Sequence, residues 1–207
     1  MKSIIILISF LVALACKAQN SIVSIYDNED YGNDGVYYKD IDNDYNIFEG
    51  TWVYTNGNTS LTIVLEKKEM SHIQNTFSNY YVDAIIGEYK YIENGSELIN
   101  TLTNLFVNFP DHHNYNIHGG YISKYGDPLC HDCDPNNIKV YGSYKEPDCD
   151  IRVASDNMIF RYFTENGIEK LHINFRSGQQ LLPGLNEPDP TCTGFKLPFG
   201  EYILIKQ

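Results

Sequence analysis

Basic residues are scarce in this chain: 15 Lys and Arg stand against 27 Asp and Glu, a formal charge of −12. A surface this acidic repels phosphate backbones and anionic lipid heads, which argues against a nucleic-acid partner or direct membrane adsorption. Tryptophan occurs once, as Trp52. No Gly-x-Ser-x-Gly elbow and no Gly-rich phosphate loop is present, so neither serine-hydrolase nor nucleotide chemistry has a motif to rest on. No repeat of 20–50 residues appears. Beyond the first fifteen residues no apolar run approaches the ~20 that a membrane-spanning helix needs.

That first run is informative. Met1 and Lys2 give a short positive end, and Ser3–Ala15 is apolar but too short to span a bilayer comfortably. Residues 1–18 therefore read as a signal peptide. Two processing sites compete. Ala13–Cys16 resembles a lipobox, in which Cys16 would be lipidated and become the new N-terminus. Cleavage after Ala18 is the alternative, with small residues at both recognition positions. The expected location is the periplasm or, as a lipoprotein, the outer membrane, with contact to the membrane only through Cys16. Cleavage at Ala18 would instead give a secreted soluble protein.

The other cysteines are Cys130, Cys133, Cys149 and Cys192. An even number in an exported chain reads as two disulfides with three possible pairings. A four-thiolate zinc site would normally bring two Cys-x-x-Cys knuckles, and only one is present.

Residues 19–47 read as an acidic, irregular leader, with eight acidic residues and one Lys between Asp27 and Glu49, and one short strand expected around Val36 to Lys39. Residues 48–207 read as a single domain. Tyrosine is abundant at 17 residues, and Asn-Gly recurs at Asn56-Gly57, Asn94-Gly95 and Asn166-Gly167. Asn-Gly suits a type I′ hairpin turn, whose two central residues both need positive φ. The flanks alternate with period two. Trp52 and Tyr54 share a face, as do Leu61, Ile63 and Leu65; Tyr89 and Tyr91; Met158, Phe160 and Tyr162; and Leu171, Ile173 and Phe175. Weaker strands are expected at Leu105 to Phe109, Tyr115 to Ile117, Tyr121 to Tyr125, Ile138 to Tyr144, Ile151 to Val153 and Tyr202 to Lys206. His118-Gly119-Gly120 reads as a turn. Ser96 to Phe106 could open with a helix N-cap, but its Thr and Asn content favours a strand. Residues 181–198 hold four prolines and two glycines and read as a long loop tied down through Cys192.

Nine or ten hairpin-linked strands predict an all-β fold, an antiparallel barrel, with a β-sandwich as the alternative. Gly50-Thr51-Trp52 resembles the Gly-x-Trp that opens the first strand of lipocalins and related calycin barrels, where the Trp closes the barrel bottom. More of the chain resembles an uncharacterised family of small exported proteins and lipoproteins from Bacteroidota. The matching segments are "ACKAQ", the stretch Asp34 to Lys68, "IIGEYKY", the Cys130/Cys133 loop and "TGFKLPFGEYILIKQ". That resemblance implies class and location and no catalytic residue.

If the barrel interior is partly open, Trp52, Tyr54, Leu61, Ile63, Tyr89 and Tyr91 would line a site for a small apolar or amphipathic ligand. A pocketless interaction protein is the second reading, and a hydrolase whose site assembles only on folding is the third. No cofactor and no metal is expected. "DIDNDYN" (Asp40 to Asn46) alternates oxygen ligands but has Tyr45 and Thr51 where an EF-hand needs Gly and Glu, so it reads as a solvated acidic turn. Asp111, His112, His113 and His118 carry metal-ligand chemistry without a standard spacing, and adjacent His on a strand would point to opposite faces.

Overall fold

A computed structural model describes residues 20–26, 31–127, 130, 138–151, 157–178, 181, 183–184 and 188–207. Among the described residues, eleven β-strands form one sheet: β1 Ser21–Ser24, β2 Val36–Lys39, β3 Gly50–Asn56, β4 Thr59–Gln74, β5 Asn79–Glu93, β6 Ser96–Asn100, β7 Ile117–Ser123, β8 Lys139–Tyr144, β9 Met158–Glu165, β10 Ile168–Phe175 and β11 Gly200–Lys206. The remaining regular segments among the described residues are three short 3-10 turns, Asp44–Phe48, Leu102–Phe106 and His112–Asn114.

Strands β3, β4, β5, β7, β8, β9, β10 and β11 are neighbours in chain order, β11 returns to β3, and β5 pairs with β7. All these pairings are antiparallel. The fold is thus a closed eight-stranded up-and-down barrel, consistent with the lipocalin-like architecture and not with a sandwich. Closure leaves no open edge within the barrel. The fifteen-residue β5 serves three partners along one edge: parallel β2 at Tyr81 and Val82, β7 at 85–87, and β6 from Lys90 onward. Through β2 and β1, a parallel pair, the acidic leader extends the sheet.

The alternation in the sequence becomes the barrel interior. Trp52 opposes Ile63, which opposes Tyr89; Tyr54 opposes Leu61, which opposes Tyr91. On the far side Phe160 opposes Ile173, which opposes Tyr202. These residues belong to one apolar cluster. Each large side chain so buried contributes about 1.5–3 kcal/mol.

Turn chemistry holds in two of the three Asn-Gly hairpins. Asn94-Gly95 and Asn166-Gly167 have both central residues at positive φ. In the first hairpin Asn56 pairs with Thr59, so the turn falls on Gly57-Asn58, one residue later than expected, with positive φ at Gly57 alone. Three further expectations are corrected. Leu105 to Phe109 is not a strand, because the chain winds into the 3-10 turn Leu102–Phe106. Ser96 to Phe106 is strand only as far as Asn100. His118-Gly119-Gly120 is not a turn but lies inside β7, with a register irregularity between Gly119 and Tyr121. The glycine there serves close strand approach: a Cβ on Gly119 would sit 2.9 Å from the Tyr141 carbonyl, and one on its partner Gly142 2.6 Å from the His118 carbonyl. The expected strand at Ile151 to Val153 lies partly outside the described residues.

Candidate functional site

The six residues expected to line an interior site do converge inside the barrel. Trp52, Leu61, Ile63 and Tyr89 are fully buried, Tyr91 nearly so, and Tyr54 is half-buried with its ring edge-on to Tyr202 at 5.2 Å. They touch one another as core. Trp52 is anchored from outside its own strand. The 3-10 turn Asp44–Phe48 precedes β3, and its Phe48 carbonyl accepts the indole N–H at 2.8 Å. Tyr162 packs edge-on to the indole at 6.3 Å, and the Lys206 ammonium lies 5.2 Å from its ring centre. Glu169 accepts from both the Tyr162 hydroxyl and Lys206, at 2.9 and 3.2 Å.

Polar groups also enter the interior. The Tyr144 hydroxyl donates to Tyr89 at 2.6 Å and lies 3.2 Å from Glu146, which in turn accepts the Lys196 amide at 2.7 Å. Burial pushes both tyrosine hydroxyls well above the ordinary phenol range, so both stay protonated. None of the six residues lines the surface hollows beside Arg161, beside Phe106 or beside Phe199. The first of these, about 410 Å³, lies on the outer face of β8–β11 beside Lys139, Arg161, His172 and Arg176.

The acidic leader is more organised than a solvated turn. Asp40 is fully buried, accepts the amides of Asp44 and Tyr45, and pairs with Lys67 at 3.0 Å. Asp42 and Asp44 pair with Lys124 at 3.3 and 2.5 Å. The "DIDNDYN" carboxylates therefore face lysines from β4 and from the end of β7, partners far away in sequence.

Cys149 and Cys192 form a disulfide, with Cα atoms 5.3 Å apart. That bond excludes the four-thiolate zinc reading. Cys130 is buried and disulfide-bonded, and Cys16 and Cys133 lie outside the described residues.

The grouping that strand reasoning misjudged is histidine-rich. His112 and His113 lie on a 3-10 turn, not a strand, so their rings share a side at a centroid distance of 4.0 Å. His118, from β7, brings a third ring 5.1 Å from His113 and 5.9 Å from His112. Asp111 caps the turn. It accepts the His113 amide at 2.8 Å and the His113 Nδ1–H at 2.7 Å. Ser71 of β4 accepts the His112 amide at 2.7 Å and lies 2.9 Å from His112 Nδ1. The Tyr115 carbonyl is 3.2 Å from His118 Nδ1. His112 and His118 are buried, and His113 is half-exposed. Burial, with His113 adding repulsion, lowers the pKa of His112 to about 3 and that of His118 to about 4. Burial would raise the Asp111 carboxyl, but hydrogen bonds from His113 hold it below its ordinary value.

These features define an all-β barrel protein with a packed interior and, among the described residues, a convergent His and carboxylate group on its outside. The whole chain, residues 1–207, matches a family of unknown function, DUF6705, and belongs to it. Comparison with curated proteins and with solved structures returned no match. No helix among the described residues is long and apolar enough to cross a membrane. The disulfide suggests an oxidising, non-cytoplasmic location.

Proposed function

We propose that this protein is an exported component of the cell envelope that acts through its outer surface, as an interaction module built on a filled barrel. The observation that carries this reading is the mutual packing of Trp52, Leu61, Ile63, Tyr89 and Tyr91, all at or below 2 % exposure. A ligand entering at this face would have to displace close-packed side chains, at the cost of cavity and rotamer strain. Large apolar groups stand instead on the outside: Phe77 and Phe106 are about nine-tenths exposed. Export is supported by the apolar Ser3–Ala15 segment and Cys16, together with the oxidised Cys149–Cys192 pair.

A second reading keeps a small amphipathic ligand inside the barrel. It is favoured by the buried Tyr89–Tyr144–Glu146 chain, which offers polar handles beside an apolar wall. Titration with a fluorescent fatty-acid analogue separates the two, because Trp52 is the only tryptophan. The interaction reading expects blue-shifted Trp emission that the probe leaves unchanged. Stoichiometric binding with quenching of Trp52 would overturn it in favour of the second reading.

A further inference from the structure

We propose that Asp111, His112, His113 and His118 form a binding site for one divalent transition-metal ion of the zinc class. The argument begins with convergence. One ligand atom each from Asp111, His112 and His113 lies within 4.8 Å of the others. The His118 ring stands 5.1 Å from that of His113. Tetrahedral zinc with bonds of about 2.0–2.1 Å places its ligand atoms about 3.4 Å apart. Closing the difference among Asp111, His112 and His113 takes a shift of up to about 1.5 Å, which the half-exposed His113 ring can make by rotating. His118, outside that group of three, would complete the set by turning its ring toward them.

Outer support is also in place. A metal-bound imidazole uses one ring nitrogen as ligand and donates the N–H of the other to a carboxylate or a carbonyl. The structure holds such an acceptor for His118: the Tyr115 carbonyl lies 3.2 Å from its Nδ1. Ser71 holds His112 through both its amide and its ring. The positions come from rigid elements, β4 and β7, with the capped turn between them. Such support limits the reorganisation that binding costs. The ion would enter from solvent past His113.

The ligand set selects the metal. Three imidazoles with one carboxylate suit zinc, cobalt, nickel or copper, whereas calcium and magnesium require mostly oxygen ligands. Lys145 reinforces that choice. Its ammonium donates to the His113 carbonyl at 2.6 Å and repels any cation held by charge alone. Imidazole lone pairs bond to a transition metal covalently enough to offset that repulsion.

The test uses the metal-stripped mature protein, titrated with Zn²⁺ against a chromophoric chelator and separately with Co²⁺ to read the d–d spectrum. One ion per chain is expected, with a Co²⁺ spectrum of a four-coordinate nitrogen and oxygen site. His113→Ala, at a half-exposed position, should keep the fold by circular dichroism. It should weaken zinc by more than the ~10–100-fold that losing an outer-shell partner costs. Asp111→Asn should weaken it as well, and His172→Ala, on β10, should leave affinity unchanged. Absence of stoichiometric uptake at micromolar zinc would overturn the proposal. So would native affinity in both His113→Ala and Asp111→Asn.

Discussion

The indole N–H of Trp52 donates to the backbone carbonyl of Phe48, 2.8 Å away, and so locks the first barrel strand to the turn that precedes it. Trp52→Ala should lose about 3–5 kcal/mol through transfer and cavity terms. Trp52→Phe keeps most of the apolar contact but strands a buried carbonyl, and should lose about 1–3 kcal/mol. Urea denaturation of the two variants measures both terms. Equal losses would mean that the hydrogen bond, and not the ring's bulk, dominates.

Asp83 is the polar hub joining the leader to the barrel. Fully buried, it accepts the Tyr37 hydroxyl at 2.6 Å, the Asp40 amide at 3.0 Å and the Met70 amide at 3.1 Å. Asp83→Ala leaves two buried donors, the Tyr37 hydroxyl and the Asp40 amide, unpaired at about 1–3 kcal/mol each before relaxation, and removes the partner of the more exposed Met70 amide. Hydrogen exchange should show loss of protection at the Asp40 and Met70 amides first. Unchanged protection there would separate the leader's stability from Asp83.

The Cys149–Cys192 bond ties positions 43 residues apart. Its loss in a Cys149→Ser and Cys192→Ser double variant should cost about 2–4 kcal/mol, chiefly by freeing the unfolded chain. Denaturation with and without reductant checks this. A native protein indifferent to reductant that still carries a reducible bond would argue that the loop contributes nothing to stability.

Burial raises the pKa of Glu88, even though Thr101 and Asn116 hydrogen-bond to its carboxylate. The folded state therefore holds the Glu88 proton to higher pH than the unfolded state does. Its contribution to stability is full below the ordinary glutamate value and is lost as pH rises through the raised folded value. A carboxyl NMR titration should place Glu88 above ordinary glutamates, and Glu88→Gln should flatten the stability profile across that window. A midpoint at or below the ordinary value would contradict the reasoning.

If Cys16 carries a lipid, Cys16→Ser should move the protein from membrane to soluble fractions while export continues. Mass spectrometry of the mature N-terminus decides between processing routes. A chain beginning at Gln19 without modification supports cleavage after Ala18 and removes the lipoprotein reading.

Much of the barrel is legible along the chain because hairpins are local. Asn94-Gly95 and Asn166-Gly167 meet the positive-φ demand of a type I′ turn within two residues, and the period-two alternation around them tells which face is buried. Trp52 and Tyr54 facing Leu61 and Ile63 follow from the same rule. The sixteen-residue length of β4 does not, because β4 continues past an irregularity between Lys68 and Ser71 where Met70 takes φ 52°. Only pairing with β5 makes that break tolerable.

What the sequence determined by itself is the period of the strands that flank the Asn-Gly turns, two of those turns and the identity of their core face, all set by neighbours a few residues apart. Tertiary structure decided the rest. Asp40 meets Lys67, and Gly119 meets Gly142, only once the barrel has closed. The histidine group draws on Ser71, on a turn at 112–114 and on His118 in β7. His112 and His113 share a side because the chain winds there into a 3-10 turn, with its first turn capped by Asp111 and its His112 amide held by Ser71. Spacing along a chain cannot report such a group. Its members are brought together by the free energy of closing the sheet, which no local segment contains.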